Sequence, residues 1–539
     1  MAVIKVSRRD FFRISSTATA GLVLAVSAPV AFGQKKRAYE LGPLIEIGTD
    51  GIVTVWVTKS DMGQGVRTAL PMIVAEEMGA DWNRVRIRQA HYDRKFGSQG
   101  TGGSGSIRSM WTPLRQAGAA ARTMLVAAAA AKLGVDASTL SVSNGVVSHP
   151  PSKRKLTFAQ LAEPASKLEV PKDVKLKDPS EFTIIGKKVD RVDNRDIVTG
   201  KAVYGIDVSV PGMLHASVLR SPAFGGKVAS LDDTKARAVP GVRRVVRLEP
   251  IGTDLPWTGI GVIADSTYAA MKGREALEVV WDAGEAASES SQSLRAKLAE
   301  AVKTAARSIH DAGNVERALR TPEKTVEATY ELPYLAHATM EPLNAVASVT
   351  ADGAELWTGT QFPGWVNSSV ADALKLKPEQ VKVNVTMLGG GFGRRANPDF
   401  ALEAALLSKA AGAPVKVTWT REDDMQHDYY RPASHHHVRA GLDKEGKVVA
   451  WHHRFAAPSI SGYFEPGSRK PWDSEAGGIE DLPFAIPNIG VDFALEAALL
   501  SKAAGAPVKV TWTREDDMQH DYYRPASHHH VRAGLDKEG

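Results

Sequence analysis

Cysteine is absent from all 539 residues. The chain therefore holds no disulfide, no thiolate nucleophile and no iron–sulfur cluster of its own, and electron transfer through it needs a bound organic or metal cofactor, or a partner. Charge of one sign is in little excess. The formal net charge is +6, supplied in part by Lys5, Arg8, Arg9, Lys35, Lys36 and Arg37, which does not indicate nucleic-acid binding. Long apolar runs are missing as well: the best candidate, Ala18 to Val30, is short, rich in Ala and Ser and interrupted by Pro29, a poor match to a membrane span.

What is present describes a globular, multidomain chain. Hydrophobic residues at 43% and charged residues at 24% sit near globular averages, and 47 Gly with 29 Pro imply many turns, which disfavours disorder and coiled coil alike. At this length several cores are expected. Residues 1–33 read as an export signal: Ser7-Arg8-Arg9-Asp10-Phe11-Phe12 supplies twin arginines, Ala18 to Val30 a weakly apolar run, and Ala31-Phe32-Gly33 a cleavage site. The expected address is periplasmic, by the twin-arginine route, with association to the inner membrane left open.

An internal repeat is the most unusual feature. Asp399 to Gly446 and Asp492 to Gly539 are identical letter for letter at a constant offset of 93. Old structural repeats diverge, so a recent duplication or an assembly error fits better. The copied piece reads as a helix, Phe400 to Ala411, a strand, Val415 to Thr420, and a second strand through Val438. In the first copy Asp443 to Gly446 turns into Val448-Val449-Ala450-Trp451-His452-His453, a hairpin partner. The second copy, 492–539, stops before that partner and is expected to pack poorly.

Four other regions can be drawn. Residues 38–150 combine strands (Ile52 to Val57, Val85 to Ala90) with helices (Ala69 to Met78, Leu114 to Leu133). Residues 151–185, rich in Pro, Lys and Ser, read as a linker. Residues 186–282 form a small mixed domain with strands such as Leu214 to Leu219 and Val242 to Leu248. Residues 324–491 alternate strands and helices again, so the class is α+β with some parallel pairing.

Three glycine clusters carry the chemistry, because glycine lets backbone amides approach an anionic or bulky ligand. Gly63-Gln64-Gly65 precedes a helix and could cradle an anion or cofactor, but taken alone it reads first as an ordinary tight turn. Gly100-Thr101-Gly102-Gly103-Ser104-Gly105-Ser106 offers hydroxyls and amides to a phosphate, or is a flexible link. Gly389-Gly390-Gly391-Phe392-Gly393-Arg394-Arg395 follows the strand Val381 to Thr386; three glycines in a row are entropically costly unless something must come close. A nicotinamide site is disfavoured, since GGGFGRR lacks the GxGxxG spacing and no acidic residue follows about twenty positions on.

Taken together, GQGVRT at 63–68, TGGSGS at 101–106, the stretch from Val189 to Pro222, HATMEPLNA at 337–345 and GGGFGRR at 389–395 resemble the xanthine oxidase family of molybdenum hydroxylases. The resemblance is nearest to isoquinoline 1-oxidoreductase beta and membrane-associated aldehyde dehydrogenase large subunits, and runs from about residue 7 to about 491. It implies an aldehyde oxidase/xanthine dehydrogenase hammerhead domain at 186–282 between molybdopterin-binding domains, the second (324–491) incomplete. It also implies a molybdopterin cofactor with Mo, in its cytosine dinucleotide form. Gly63, Gln64 and Gly65 match the turn that contacts the pterin, and Gly102, Gly103, Ser104, Gly105 and Ser106 the loop near the dinucleotide. Gly390, Gly391, Phe392, Gly393 and Arg394 match the segment facing molybdenum, and His337 and Glu341 the substrate pocket, where Glu341 would orient a carbonyl or ring nitrogen. A satisfied buried pair is the plain alternative for those two.

The implied reaction is hydroxylation of an aldehyde or an N-heteroaromatic small-molecule substrate with water-derived oxygen. The implied partners are a small subunit with two 2Fe-2S clusters and a cytochrome c acceptor. The departures matter equally. The family's C-terminal glutamate, which acts as base, has no counterpart: the resemblance reaches Leu482 to Asn488, and the copied segment begins at Asp492. The catalytic residue is therefore unknown and the polypeptide is expected to be inactive as written, with a cofactor- or partner-binding subunit without turnover, or a chimeric gene, as alternatives. His435-His436-His437 reads as strand, whose alternation prevents all three from facing one ion, so no metal ligands are assigned. Glu422, Asp423 and Asp424 read as a solvated loop flanked by Arg421 and Arg431.

Overall fold

The computed structural model describes residues 38–303, 307–465, 473–479, 482 and 484–494. The leader and residues 495–539 of the second copy lie outside them. The class is α+β, with parallel pairs among mainly antiparallel sheets.

The N-terminal unit pairs a four-stranded sheet with two helices. Ile45–Gly48 and Val53–Val57 alternate buried and half-buried residues, the period-2 signature of a sheet packed on one side. Against it lie the helix Val66–Met78, bounded by left-handed glycines at 65 and 79, and the long helix Ser106–Leu133. These helices cross closely at Gly118, where a Cβ would stand 2.6 Å from the Val74 carbonyl oxygen. Small residues at the crossing let the backbones approach and make one apolar core with the sheet.

The expected linker at 151–185 is corrected. Arg154–Thr157 is the third strand of a small sheet, and the helix Phe158–Ser166 buries Phe158, Leu161, Ala162 and Ala165 in that same core. The rest is clamped. Buried Glu76 accepts from the amides of Thr183 (2.8 Å), Ile184 (2.6 Å) and Ile185 (3.2 Å) and from Lys177 Nζ (2.8 Å), while Glu77 holds Lys177 N and Arg115. Burial pushes the Glu76 carboxyl up, but the lysine and the three amides outweigh it and hold it below the usual range. Composition alone suggested a linker; two carboxylates on one helix make it part of the body.

The boundary expected at 282 is corrected too. A single seven-stranded sheet runs Val242–Leu248, Gly259–Ala264, Leu214–Arg220, Val415–Thr418, Asn344–Val349, Ala354–Thr358, Val381–Val385. Its junction is the parallel pairing of Leu214, His215 and Ala216 with Val415, Lys416 and Val417. The helices Pro363–Leu374 and Asp399–Ala411 cover one face and share the largest apolar core. Local patterns show where strands lie, not which distant strand they join.

A five-stranded sheet completes the described chain, in the order Arg307–Ala312, Ile489–Phe493, Val448–Ala456, Ser434–Leu442, Lys324–Leu332. The expected hairpin forms, with Asp443 accepting from the amides of Glu445 and Lys447. Within it His436 hydrogen-bonds His453 (2.9 Å), while His437 pairs with Glu327 and His435 with Glu331, so the three rings divide between the two faces. The first two residues of each repeat part company: Asp399-Phe400 opens a helix, whereas Asp492-Phe493 ends the strand Ile489–Phe493.

The acidic loop is a third correction. Arg421–Gln426 is a short helix in which Asp423 and Asp424 are buried; Asp423 pairs with Arg220 (3.4 Å) and Arg274 (2.5 Å), and Asp424 with Arg421. Arg431 donates instead to the Pro333 carbonyl. Among the described residues no helix is long and apolar enough to cross a membrane.

Candidate cofactor cradle and substrate pocket

The three glycine clusters meet. The strand Val53–Val57 runs into a buried stretch, Thr58 to Asp61, that serves as the floor. From it Lys59 Nζ donates to the carbonyls of Ser98 (3.0 Å) and Gly100 (2.7 Å), and Ser60 N donates to Thr101 Oγ1 (2.9 Å). Ser60 Oγ donates to the Thr360 carbonyl (2.7 Å), and Leu388 N to the Asp61 carbonyl (3.1 Å). Residues more than 300 positions apart are thus bonded through one short segment.

Gln361 is the hub, and sequence reasoning passed over it. Its Nε2 donates to the Thr101 carbonyl (2.9 Å), its Oε1 accepts from Gly393 N (3.0 Å), and its backbone bonds both Thr101 and Arg395. It is buried in the turn between the strand Ala354–Thr358 and the helix Pro363–Leu374. A polar residue at a strand–helix turn is a weak signal by itself. The close approach is tightest at Gly391, where a Cβ would lie 2.4 Å from Met62 Sδ and 2.8 Å from Gln361 Oε1.

Backbone conformation marks the same place. Among the described residues six non-glycines have positive φ; three of them, Ser104 (51°), Ala338 (49°) and Phe392 (55°), belong to these loops. Each costs about 1 kcal/mol that surrounding contacts must offset. Gly63, Gly65, Gly103, Gly390 and Gly393 also have positive φ. Among the described residues, the amides of Gly102, Gly103, Ser104, Gly390, Gly391 and Phe392 make no hydrogen bond to protein. Six free donors on converging turns, with Gly63, Gln64 and Phe392 exposed, suit a large polar ligand. Gly105 and Ser106 start the helix Ser106–Leu133 at the rim.

Some expected contacts fall elsewhere. The Gln64 side chain folds back, accepting from Met62 N and donating to the Ser60 carbonyl, so only its backbone is available. Arg394 is fully buried, bidentate to Asp399 (2.9 and 2.7 Å) and paired with Asp428 (3.1 Å). Burial works against its charge, and the two carboxylates outweigh that and hold it above its ordinary value. It braces the turn from behind and faces no ligand.

His337 and Glu341 separate. A cavity of about 640 Å³ opens beside Gly393 and is lined by His337, Trp365, Asp428, Tyr429, Tyr430, Tyr463 and Phe464 among others. His337 stands at its wall with Nδ1 2.9 Å and 3.0 Å from the two oxygens of Asp428. Glu341 is not among the residues lining it. Its carboxylate accepts from Ile206 N (3.0 Å), Gly389 N (2.8 Å), Asn344 Nδ2 (3.0 Å) and Arg395 Nη2 (3.1 Å). The expectation that Glu341 orients substrate is corrected: four protein donors occupy it, and it anchors the glycine turn.

Comparison with known proteins follows this geometry. A molybdopterin cofactor-binding domain matches residues 14–210, which hold the first two glycine turns, and another matches 299–495, which hold the third turn and His337. The chain belongs to the molybdopterin-binding large subunits of the xanthine oxidase family. It is 33% identical over 456 residues to a membrane-bound aldehyde dehydrogenase (pyrroloquinoline-quinone) of Gluconacetobacter polyoxogenes, covering 81% of this chain and 58% of that protein. It is 31% identical over 517 residues to isoquinoline 1-oxidoreductase subunit beta of Brevundimonas diminuta, covering 85% and 64%. This family member thus spans about three-fifths of the length of these relatives. Quinoline 2-oxidoreductase from Pseudomonas putida 86 superposes with a TM-score of 0.46 at 21% identity, over 57% of this chain and 44% of that one.

Proposed function

We propose that this chain binds a molybdenum–pterin cofactor between the turns at 63–65, 102–106 and 390–393, as part of an oxidoreductase acting on an aldehyde or an N-heteroaromatic ring. One observation carries the reading: Gln361 and Ser60 tie three turns from two matched cofactor-binding domains into one cradle lined by free amides. The polar amides suit the pterin and a dinucleotide tail, for which the cytosine form is the proposal. When bound, the group supplies two-electron oxidation of carbon with oxygen derived from water. The protein's own part is to hold it through backbone donors, to brace the Gly389–Gly393 turn through Glu341, Arg394 and Arg395, and to present the aromatic cavity beside Gly393.

Electrons would leave to a separate 2Fe-2S subunit and then a cytochrome c, because no cysteine here can ligate a cluster. Export by the twin-arginine leader to the periplasm belongs to the same proposal; that route carries folded proteins, cofactor included. The hammerhead assignment is likewise proposed on sequence resemblance, for strands within 186–282 that share the seven-stranded sheet with later residues. The test is elemental analysis and pterin extraction on the purified protein with its neighbouring subunits. About one molybdenum per chain is expected. A preparation free of molybdenum that carries a quinone, the cofactor for which one relative is named, overturns the reading. Bound molybdenum without oxidation of any aldehyde or heterocycle would favour a subunit that holds cofactor without turnover.

A further inference from the structure

We propose that His337 is the hydrogen-bond acceptor by which the aromatic cavity selects its ligand, a planar unsaturated molecule carrying an N–H or O–H group. The inference rests on the cavity's being the substrate pocket and adds what that pocket recognises. Asp428 fixes the ring twice over, since the His337 amide also donates to its Oδ2 at 2.5 Å, while Nδ1 lies 2.9 Å and 3.0 Å from its two oxygens. Asp428 is itself buried and held by Arg394, which Asp399 holds in turn. A carboxylate only accepts, so the proton of the neutral ring sits on Nδ1 and the lone pair on Nε2.

That lone pair has no protein partner among the described residues. A Cβ on Gly393 would stand 3.4 Å from Nε2, so the glycine leaves this edge of the ring open at the cavity wall. The surrounding walls are mainly aromatic, with Tyr463 Oη a second polar atom, buried and without a hydrogen-bond partner among the described residues. Tyr429 and Phe464 stack with planes 14° apart, and Trp365 meets Phe464 edge-on. The hydroxyls of Tyr429 and Tyr430 are turned to backbone carbonyls of Thr253 and Met425. A flat ligand fits between such rings, and one that donates to Nε2 satisfies an acceptor that a donor-free rival leaves bare, a difference of roughly tenfold to a hundredfold in affinity.

The test compares isoquinolin-1-one, which has a lactam N–H, with its N-methyl derivative, titrated into the full-length protein and followed by tryptophan fluorescence. The wild type should prefer the N–H lactam by about tenfold or more. His337→Phe, which keeps a ring and removes Nε2, should bring the ratio of the two affinities close to one. Without any variant, the N–H lactam should protect His337 from diethyl pyrocarbonate in peptide mapping. Binding of both compounds with a ratio that survives in His337→Phe, or bound lactam with His337 still modified, overturns the inference and spares the pocket. Binding of neither compound to the wild type overturns the pocket reading with it.

Discussion

Glu341 decides between two accounts of the same residue, and replacing it separates them. In the structure its carboxylate is an anchor: Arg395, fully buried, depends on it for its carboxylate partner, and the amides of Gly389 and Ile206 donate to it. Glu341→Ala leaves a buried guanidinium without its carboxylate and two amides without an acceptor. Breaking a buried pair from one side costs about 3–5 kcal/mol. Arg395 keeps the carbonyls of Gly390, Gly359 and Pro342, which places the expected loss near the lower end, about 3 kcal/mol. For a large cooperative unit that corresponds to a fall in melting temperature of roughly 5–10 °C. Glu341→Gln keeps the shape but turns a donor toward other donors, so it should fall between Ala and wild type. Scanning calorimetry of the three proteins at neutral pH is the assay. If Glu341→Ala melts within a degree of wild type while lactam binding in the cavity collapses, the carboxylate orients ligand and the anchor argument is wrong.

The remaining predictions concern the cradle, the body and the pH response. Gly391→Ala, whose Cβ would collide with Met62 and Gln361, should lower molybdenum content several-fold with secondary structure intact, as read by elemental analysis and circular dichroism. Glu403→Ala takes from Arg220 the carboxylate it meets at 2.7 Å and 2.5 Å, leaving it Asp423 at 3.4 Å, and takes the acceptor from Trp419 Nε1; the expected loss is about 3 kcal/mol in a urea titration, and Arg220→Met with Glu403→Leu should recover part of it. Glu76→Ala should release 177–185 and open Lys175 and Lys177 to trypsin, seen as early cleavage by mass spectrometry. Burial, then neighbouring positive groups, holds His436 and His453 at about 4, below the ordinary 6.5. The unfolded chain therefore takes up protons first on acidification, so stability is full above about 6.5 and falls toward pH 4, by about 3 kcal/mol for one ring. Urea midpoints against pH check this, and His453→Phe should flatten the slope.

Periodicity carried much of the fold. The strand expected at Val242 to Leu248 spans those residues, and the helix expected from Phe400 begins one residue earlier. The helix expected from Leu114 begins at Ser106 and runs through Pro113. The expectation that three glycine clusters serve one ligand came from the family resemblance, since each cluster alone also reads as a turn or a link. What remained hidden was set by distant partners. Asp423 reads as solvated until Arg220 and Arg274 arrive from some 150 to 200 positions away. Gln361 has no local pattern to betray it, and Arg394 reads as a ligand contact until Asp399 and Asp428 claim it. The repeat makes the point within one chain: Asp399-Phe400 follows Pro398 and starts a helix, and Asp492-Phe493 follows Ile489-Gly490-Val491 and continues a strand beside Phe455.

The seven-stranded sheet constrains how the chain is made. Leu214–Arg220 leaves the ribosome early, finds Gly259–Ala264 on one side, and then waits with its other edge bare until Val415–Thr418 has been synthesised. Translation at about 5–20 residues per second makes that delay roughly 10–40 seconds. A half-made sheet with an open edge is a target for wrong pairing, so the nascent protein needs a chaperone or a slow collapse to guard it. The helix Asp399–Ala411 packs on Asn344–Val349 as well as on that late strand, and the third glycine turn is itself made late in the chain, which makes a competent cradle one of the last things assembled.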